Sequence, residues 1–238
     1  MNNVIYFMMA FTVILIIYIY KKKFLTFGAL LLGICDFTVV FLFGGERWLG
    51  MFFCAVILSL VVPKIFSDNK LRQKKEKRNF GDLIAISSAC FIAAACCKFI
   101  GEYNWFAIFS MPLSYIVADI FSSEISIKSW KSQARLLSKG FVIVEHGTPG
   151  AISIAGLIYS LIGSTGVAGI YLFFSGEKDY YNCIHIIITG FLICFLESLF
   201  NDYANKFNIK NKINNELINT LFVLLSMICG ICLSAFRV

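Results

Sequence analysis

The sequence predicts an all-α, polytopic integral membrane protein with about eight transmembrane helices. Hydrophobic residues make up 59% of its 238 residues, against about 45–50% in soluble domains. Charged residues make up 15% and lie in short stretches, and the apolar runs between them approach the roughly 20 residues that span a bilayer. These runs are apolar on every face instead of alternating, so the backbone must satisfy its hydrogen bonds within helices.

The apolar runs form one predicted transmembrane domain over residues 1–238. Its spans are predicted at 3–20, 24–43, 48–66, 81–100, 104–121, 150–174, 183–200 and 217–236. Every second connection between these spans is basic, and together these connections contain 17 of the 21 Lys and Arg residues. Because basic connections stay in the cytoplasm, this asymmetry predicts that both termini lie outside and that the protein is a multi-pass protein of the cell membrane.

Small residues along the sixth span predict close helix packing. They are Gly156, Ser160, Gly163, Gly166, Ala168 and Gly169. In the second span, Asp36 is an isolated acid, which we expect either to face a polar cavity or to pair with Lys98.

Carboxylates are concentrated at the predicted cytoplasmic ends of the fifth and seventh spans. Asp119 and Glu124 are five residues apart, about 140° on a regular helix, so they face one site only if the helix ends or unwinds between them. Glu197 and Asp202 belong to a polar stripe with Ser198 and Asn201. The four acids are suited to Mg²⁺, although they are equally compatible with helix ends in interfacial water.

Two segments are candidates for binding phosphate. Residues 67–79 are basic and include Arg78, and they either rest on anionic headgroups or also guide a polyphosphate. Arg135 and Lys139 precede a turn rich in Gly, Thr and Pro at 147–150, where the sixth helix begins. A helix N-terminus and glycines allow a phosphate to approach the backbone, although such a turn is also an ordinary helix cap.

These residues resemble the signature of the integral-membrane family that includes phytyl-phosphate kinase, catalogued as domain of unknown function ninety-two. The matching positions are Ala118, Asp119, Ser123, Glu124 and Ile125, then Gly147, Thr148, Gly150, Ser153 and Gly156, then Glu197-Ser198-Leu199, then Asn215 and Asn219. The chain departs from the family pattern at Pro149, where relatives have Asn, at Glu197, where they have Asp, and at Asn201, where they have Gly.

The resemblance implies a kinase that transfers a phosphoryl group from ATP or CTP to an isoprenyl monophosphate at the cytoplasmic face. Its implied partners are the isoprenoid lipid phosphate, the nucleotide and membrane lipids, with no nucleic acid. The carboxylates Asp119, Glu124 and Glu197 are expected to be catalytic and to hold Mg²⁺, with Asp202 as a fourth ligand. The groups expected to bind phosphate or nucleotide are Arg78, Arg135, Lys139, Gly147, Thr148, Gly150, Ser153 and Asn219.

Three alternatives stay open, one of which is a non-catalytic family member that only binds a phospholipid. A kinase of the free isoprenoid alcohol would need a base for the hydroxyl proton, which Asp119 or Glu124 could supply. A transporter of lipids or ions would use the acids of the membrane interior as its path. Transporters place polar groups near the midplane, whereas here nearly all of them lie at one predicted end.

Overall fold

The computed structural model describes residues 27–66, 92–93, 95–97, 104–125, 133–145, 148–176, 179–207 and 215–235. Five helices of this part are long and apolar enough to cross a membrane. The elements are helix α1 (Phe27–Phe66), helix α2 (Trp105–Ile120), a π-helical turn (Phe121–Ile125), strands β1 (Ala134–Leu136) and β2 (Val142–Val144), and helices α3 (Ile154–Ser175), α4 (Tyr180–Lys206) and α5 (Asn215–Ala235). The predicted span 3–20 and most of the predicted span 81–100 lie outside the described residues.

The predicted spans 24–43 and 48–66 follow each other without a connecting loop. Helix α1 runs through both of them and breaks at Gly45, whose φ of 74° and ψ of −164° are not helical. Only glycine adopts this conformation at little cost, because it has no Cβ. Two helical stretches therefore meet at a kink at Gly45, between the two predicted spans.

Helix α2 is the centre of the bundle. In its most apolar stretch 72% of the residues are buried, against 28–39% in the other four helices. It packs against α1, α3, α4 and α5. Contacts with α4 are close, because the Ser114 hydroxyl donates to the Ile186 carbonyl at 3.0 Å and a Cβ on Gly190 would collide with Ser114. Such contacts of small residues fix how neighbouring helices pack in a membrane protein.

The small residues of α3 do not form the single packing face predicted for them. Ser160, Gly163 and Ala168 are buried, and a Cβ on Gly163 would lie 3.1 Å from the Val117 carbonyl of α2. By contrast, Gly166 and Gly169 are exposed, and a Cβ on Gly169 would meet nothing within 4 Å. Close packing along α3 therefore involves only part of the predicted set.

A β-hairpin between α2 and α3 departs from the all-α prediction. Strands β1 and β2 pair antiparallel with Arg135 opposite Ile143, and Arg135 also exchanges two backbone hydrogen bonds with Ile152, each 2.9 Å long. The hairpin turns at Gly140 and Phe141, whose φ angles are 74° and 63°. A left-handed conformation costs a residue with a Cβ about 1–2 kcal/mol, so the surrounding contacts must hold Phe141 in place.

The end of α4 holds the hairpin turn. The Ser138 backbone N–H donates to Asp202 Oδ2 at 2.8 Å, and the Ser138 hydroxyl donates to Asp202 Oδ1 at 2.5 Å. Lys206 Nζ donates to the Ser138 carbonyl at 2.9 Å. The hairpin is thereby fixed beside the last turns of α4.

Candidate functional site

A pocket of about 260 Å³ lies where α2 ends and α3 begins. Its walls come from the end of α2 and the π-helical turn, from β1, from the segment leading into α3, from the first turns of α3, and from α4. The lining residues are Asp119, Ser122, Ser123, Ala134, Thr148, Pro149, Gly150, Ala151, Ile152, Ser153, Gly156, Leu157, Ser160, Cys194, Phe195, Glu197, Ser198 and Asn201. Segments far apart in the sequence, including three of those that carry the family resemblance, thus meet at one cavity.

The π-helical turn places Asp119 and two serines on the pocket wall. Helix α2 widens after Ile120, which is the unwinding that a shared site for Asp119 and Glu124 requires. Asp119, Ser122 and Ser123 line the cavity, whereas Glu124 is not among the lining residues. The Ser122 hydroxyl donates to the Asp119 carbonyl at 2.9 Å and lies 3.6 Å from Cys194 Sγ.

The N-terminus of α3 forms another wall of the pocket. Ser153 caps this helix, since its hydroxyl accepts the Gly156 N–H at 3.0 Å. Capping satisfies one of the amide groups that a helix start leaves free, and the remaining ones give this end a partial positive charge. Thr148, Gly150 and Ser153 all line the pocket, and the predicted phosphate ligand Gly147 lies outside the described residues.

Gly150 is required by close packing against α4. Its φ is 84°, and a Cβ there would lie 2.8 Å from the Asn201 carbonyl carbon and closer still to the backbone of Asp202. The nearby Asn205 side chain donates to the Pro149 carbonyl at 2.9 Å. The segment before α3 is therefore seated directly on α4, which positions the α3 N-terminus over the pocket.

Glu197 is a buried acid of the site that accepts hydrogen bonds from several helices. It is 7% exposed, and Tyr115 donates to its Oε2 at 2.9 Å while Asn201 donates to its Oε1 at 3.4 Å. Asn219, with its amide nitrogen turned toward the carboxylate, donates to Glu197 Oε1 and to the Asn215 carbonyl at 3.2 Å each. Donors from α2, α4 and α5 thus converge on one buried carboxylate, which stabilises its charge.

Asp119 and Glu197 form an acidic pair on the same cavity. Both carboxylates are among the residues that line it. Among the residues that the structure describes, no Lys or Arg lines the pocket, and no group of three or more His, Cys, Asp or Glu side chains is placed to hold a metal. This donor set suits Mg²⁺, which proteins commonly bind through one or two carboxylates together with water and phosphate oxygens.

The other predicted site residues lie elsewhere. Both oxygens of Asp202 accept hydrogen bonds from Ser138, so this acid fixes the hairpin and does not line the pocket. Arg135 and Lys139 are exposed on the hairpin, and the Arg135 guanidinium donates to Gln133 at 3.4 Å. The predicted phosphate ligand Arg78 lies outside the described residues, and Asp36 is buried in α1 at 1% exposure without lining the cavity.

Tyr115 is a partner of Glu197 that the sequence did not reveal, whereas Asn201 belongs to the predicted polar stripe of Glu197. Tyr115 lies four residues before Asp119, and Asn201 lies four residues after Glu197. Residues four apart share one face of a helix, so helical spacing alone would have placed both near the acids. Asn219 is in the first turns of α5, but its contact with Glu197 depends on the packing of α4 against α5.

Fold and site together define a helical membrane protein with an acidic pocket at one end of its bundle. The chain belongs to the family described as "Integral membrane protein DUF92", which it matches over residues 10–225. It is also similar to a protein of Methanocaldococcus jannaschii described as "Uncharacterized membrane protein MJ0933", with 26% identity over 199 residues, 81% of this chain and 79% of the relative. No solved structure matches the chain.

Proposed function

We propose that this chain is a membrane-embedded, Mg²⁺-dependent kinase that transfers a nucleotide phosphoryl group to an isoprenyl monophosphate. The observation that carries the proposal is the cavity in which Asp119 and Glu197 face the N-terminus of α3. Carboxylates that bind a divalent cation and a helix start that binds phosphate are the two elements that phosphoryl transfer uses most. The isoprenoid acceptor follows from the family resemblance.

Asp119 and Glu197 are the residues that would hold Mg²⁺ in this cavity. When bound, the cation supplies positive charge against the phosphate oxygens. Tyr115, Asn201 and Asn219 keep the Glu197 carboxylate in one orientation through their hydrogen bonds. Orientation of this kind matters because catalysis of phosphoryl transfer rests mainly on positioning and charge stabilisation.

The first turn of α3 would receive the phosphate chain of the nucleotide. Ser153 and Thr148 both line the cavity. The Ser153 hydroxyl lies beside the backbone amides of the helix start, whereas the Thr148 hydroxyl donates to the Glu145 carbonyl at 2.8 Å. Arg135 directly follows the lining residue Ala134, and it shares the hairpin with Lys139. We assign these two cations to holding the phosphate of the lipid acceptor, itself an anionic headgroup, at the outer side of the cavity. Arg78, which lies outside the described residues, keeps its predicted role in binding phosphate.

A monophosphate acceptor needs no strong base, because it is already ionised. It does bring two anions together, and unit charges about 4 Å apart repel by about 4 kcal/mol at an effective dielectric constant of 20. Neutralising that repulsion is the role we assign to Mg²⁺ and to the three basic side chains. Binding and alignment of the two phosphates are therefore expected to limit the rate.

A kinase of the free isoprenoid alcohol is the second candidate. Two observations favour it: the pocket is lined by two carboxylates, and none of its described lining residues is basic. In this reaction the alcohol oxygen attacks the terminal phosphorus of the nucleotide, its proton passes to Asp119, and the nucleoside diphosphate leaves. A neutral acceptor would avoid the repulsion that a second phosphate brings to an acidic cavity.

The test is phosphoryl transfer from labelled ATP and CTP, with Mg²⁺, to isoprenyl alcohols and isoprenyl monophosphates in detergent. We expect a labelled isoprenyl diphosphate, and a loss of about 100-fold or more in Asp119→Asn. Glu216→Gln is the matched control, because Glu216 is an exposed acid in the first turn of α5.

The acceptor that becomes labelled distinguishes the two candidates, since an alcohol acceptor yields a monophosphate. Folded, monodisperse protein that labels no acceptor would contradict both kinase proposals. Flux of lipid or ions across liposomes would then be the next measurement, because it tests the transporter alternative.

A further inference from the structure

The tip of the hairpin exposes three consecutive apolar residues. Phe141, Val142 and Ile143 are 61%, 49% and 55% exposed. A contiguous apolar surface on a fixed element marks a site that contacts a partner or a membrane. We therefore expect either a partner or the membrane to cover this tip.

The hairpin is held in place by its neighbours, so its exposed apolar tip has a defined position. Asp202 and Lys206 of α4 bind Ser138 in the turn. Arg135 of β1 is joined by two backbone hydrogen bonds to Ile152, just before α3. The tip accordingly keeps a fixed height relative to the ends of α3 and α4.

That height corresponds to the headgroup layer of the bilayer. With 27 residues, α4 is about 40 Å long at 1.5 Å per residue, whereas the hydrocarbon core is about 30 Å thick. We assign the excess length to the last turns of α4, because they carry the polar residues Asp202, Asn205 and Lys206 and hold the hairpin. Exposed Tyr203 and Phe207 in the same region are typical of the aromatic belt at a membrane surface.

Basic side chains accompany the apolar tip. Lys139 is exposed in the turn, and Arg135 is exposed on β1 opposite Ile143. Apolar residues that enter the boundary between headgroups and acyl chains, next to cations that bind lipid phosphates, are the combination that interfacial membrane anchors use. The basic side chains and the apolar tip therefore both indicate contact with a membrane surface.

We propose that hairpin β1–β2 docks on the bilayer surface, with Phe141, Val142 and Ile143 in the boundary between headgroups and acyl chains and Lys139 and Arg135 on anionic lipid headgroups. Ala134 of the same hairpin lines the pocket. Docking would therefore place one wall of the pocket at the depth of lipid headgroups. The proposal does not depend on the kinase activity.

The experiment is photocrosslinking of the full chain in lipid nanodiscs, with p-benzoylphenylalanine in place of Phe141 or of Ile143. Phe173, an 81% exposed residue of α3, is the positive reference for contact with lipid. Glu145, an exposed residue just after β2, is the matched control on the same hairpin. Intact-protein mass spectrometry measures phospholipid adducts, and unaltered thermal unfolding shows that each variant is folded.

We expect the adduct yield at 141 and 143 to exceed that at 145 several-fold and to approach that at 173. The yield at 141 should rise when an anionic phospholipid is added to the nanodiscs, and Lys139→Ala should abolish that rise. Crosslinks from 141 to a second copy, or to other parts of the same chain in place of lipid, would overturn the proposal. A yield at 141 no higher than at 145 would overturn it as well.

Discussion

Tyr115 provides a quantitative test of the network around Glu197. Its hydroxyl is buried and donates to Glu197 Oε2 at 2.9 Å. A hydrogen bond to a charged group contributes about 1.5–3 kcal/mol, so Tyr115→Phe should lower the free energy of unfolding by about 2 kcal/mol. In a chain of this size, that corresponds to a fall in Tm of about 4–8 °C.

A double-mutant cycle attributes this loss to the carboxylate. The assay is reversible unfolding in detergent, measured for the wild type, Tyr115→Phe, Glu197→Leu and the double variant. Once Leu has replaced the acceptor, the further change Tyr115→Phe should cost close to nothing, which gives a coupling energy of about 2 kcal/mol. Tyr203→Phe removes a hydroxyl from an exposed Tyr of α4 and should be neutral. Additive effects of the two substitutions would refute our account of the network.

Three further predictions concern stability. Gly140→Ala should cost about 1–2 kcal/mol for its positive φ alone, because its Cβ meets open space. Gly150→Ala should cost clearly more, because its Cβ meets the backbone of α4, and equal losses of Tm would contradict this. Asp202→Asn should speed hydrogen exchange at the Ser138 amide, whereas unchanged protection would show that the carboxylate does not hold the turn. Ser153→Ala should cost about 1 kcal/mol by thermal unfolding through the lost cap, and an unchanged Tm would show that the cap contributes nothing.

The sequence predicts most of the described helices because apolar runs near the length of a membrane span determine them. It could not predict that 44–47 is a kink, since a polar Gly-Gly-Glu-Arg stretch between apolar runs is also typical of a loop. The hairpin was missed because its strands have three residues each. Its stability comes from distant contacts such as that between Ser138 and Asp202, which local patterning does not encode.

The candidate site was predictable where motif residues share one end of the bundle. Asp119, Glu197 and the start of α3 meet at one pocket, in keeping with their predicted positions at helix ends. The roles of individual acids were not predictable, because Asp202 and Glu197 lie on the same helix and the packing partners decide between them. Ser138 binds Asp202, while Tyr115 and Asn219 bind Glu197.

The π-helical turn at Phe121–Ile125 also affects how this stretch tolerates changes in length. Such a turn equals an α-helix that has gained one residue. Removal of a single residue here would let the helix close into regular α-geometry, whereas the same deletion earlier in α2 would rotate every later side chain by about 100°. The shortened helix would fold, but Ser122 and Ser123 would turn away from Asp119. Length variation among relatives at this point would therefore alter the cavity and leave the bundle intact.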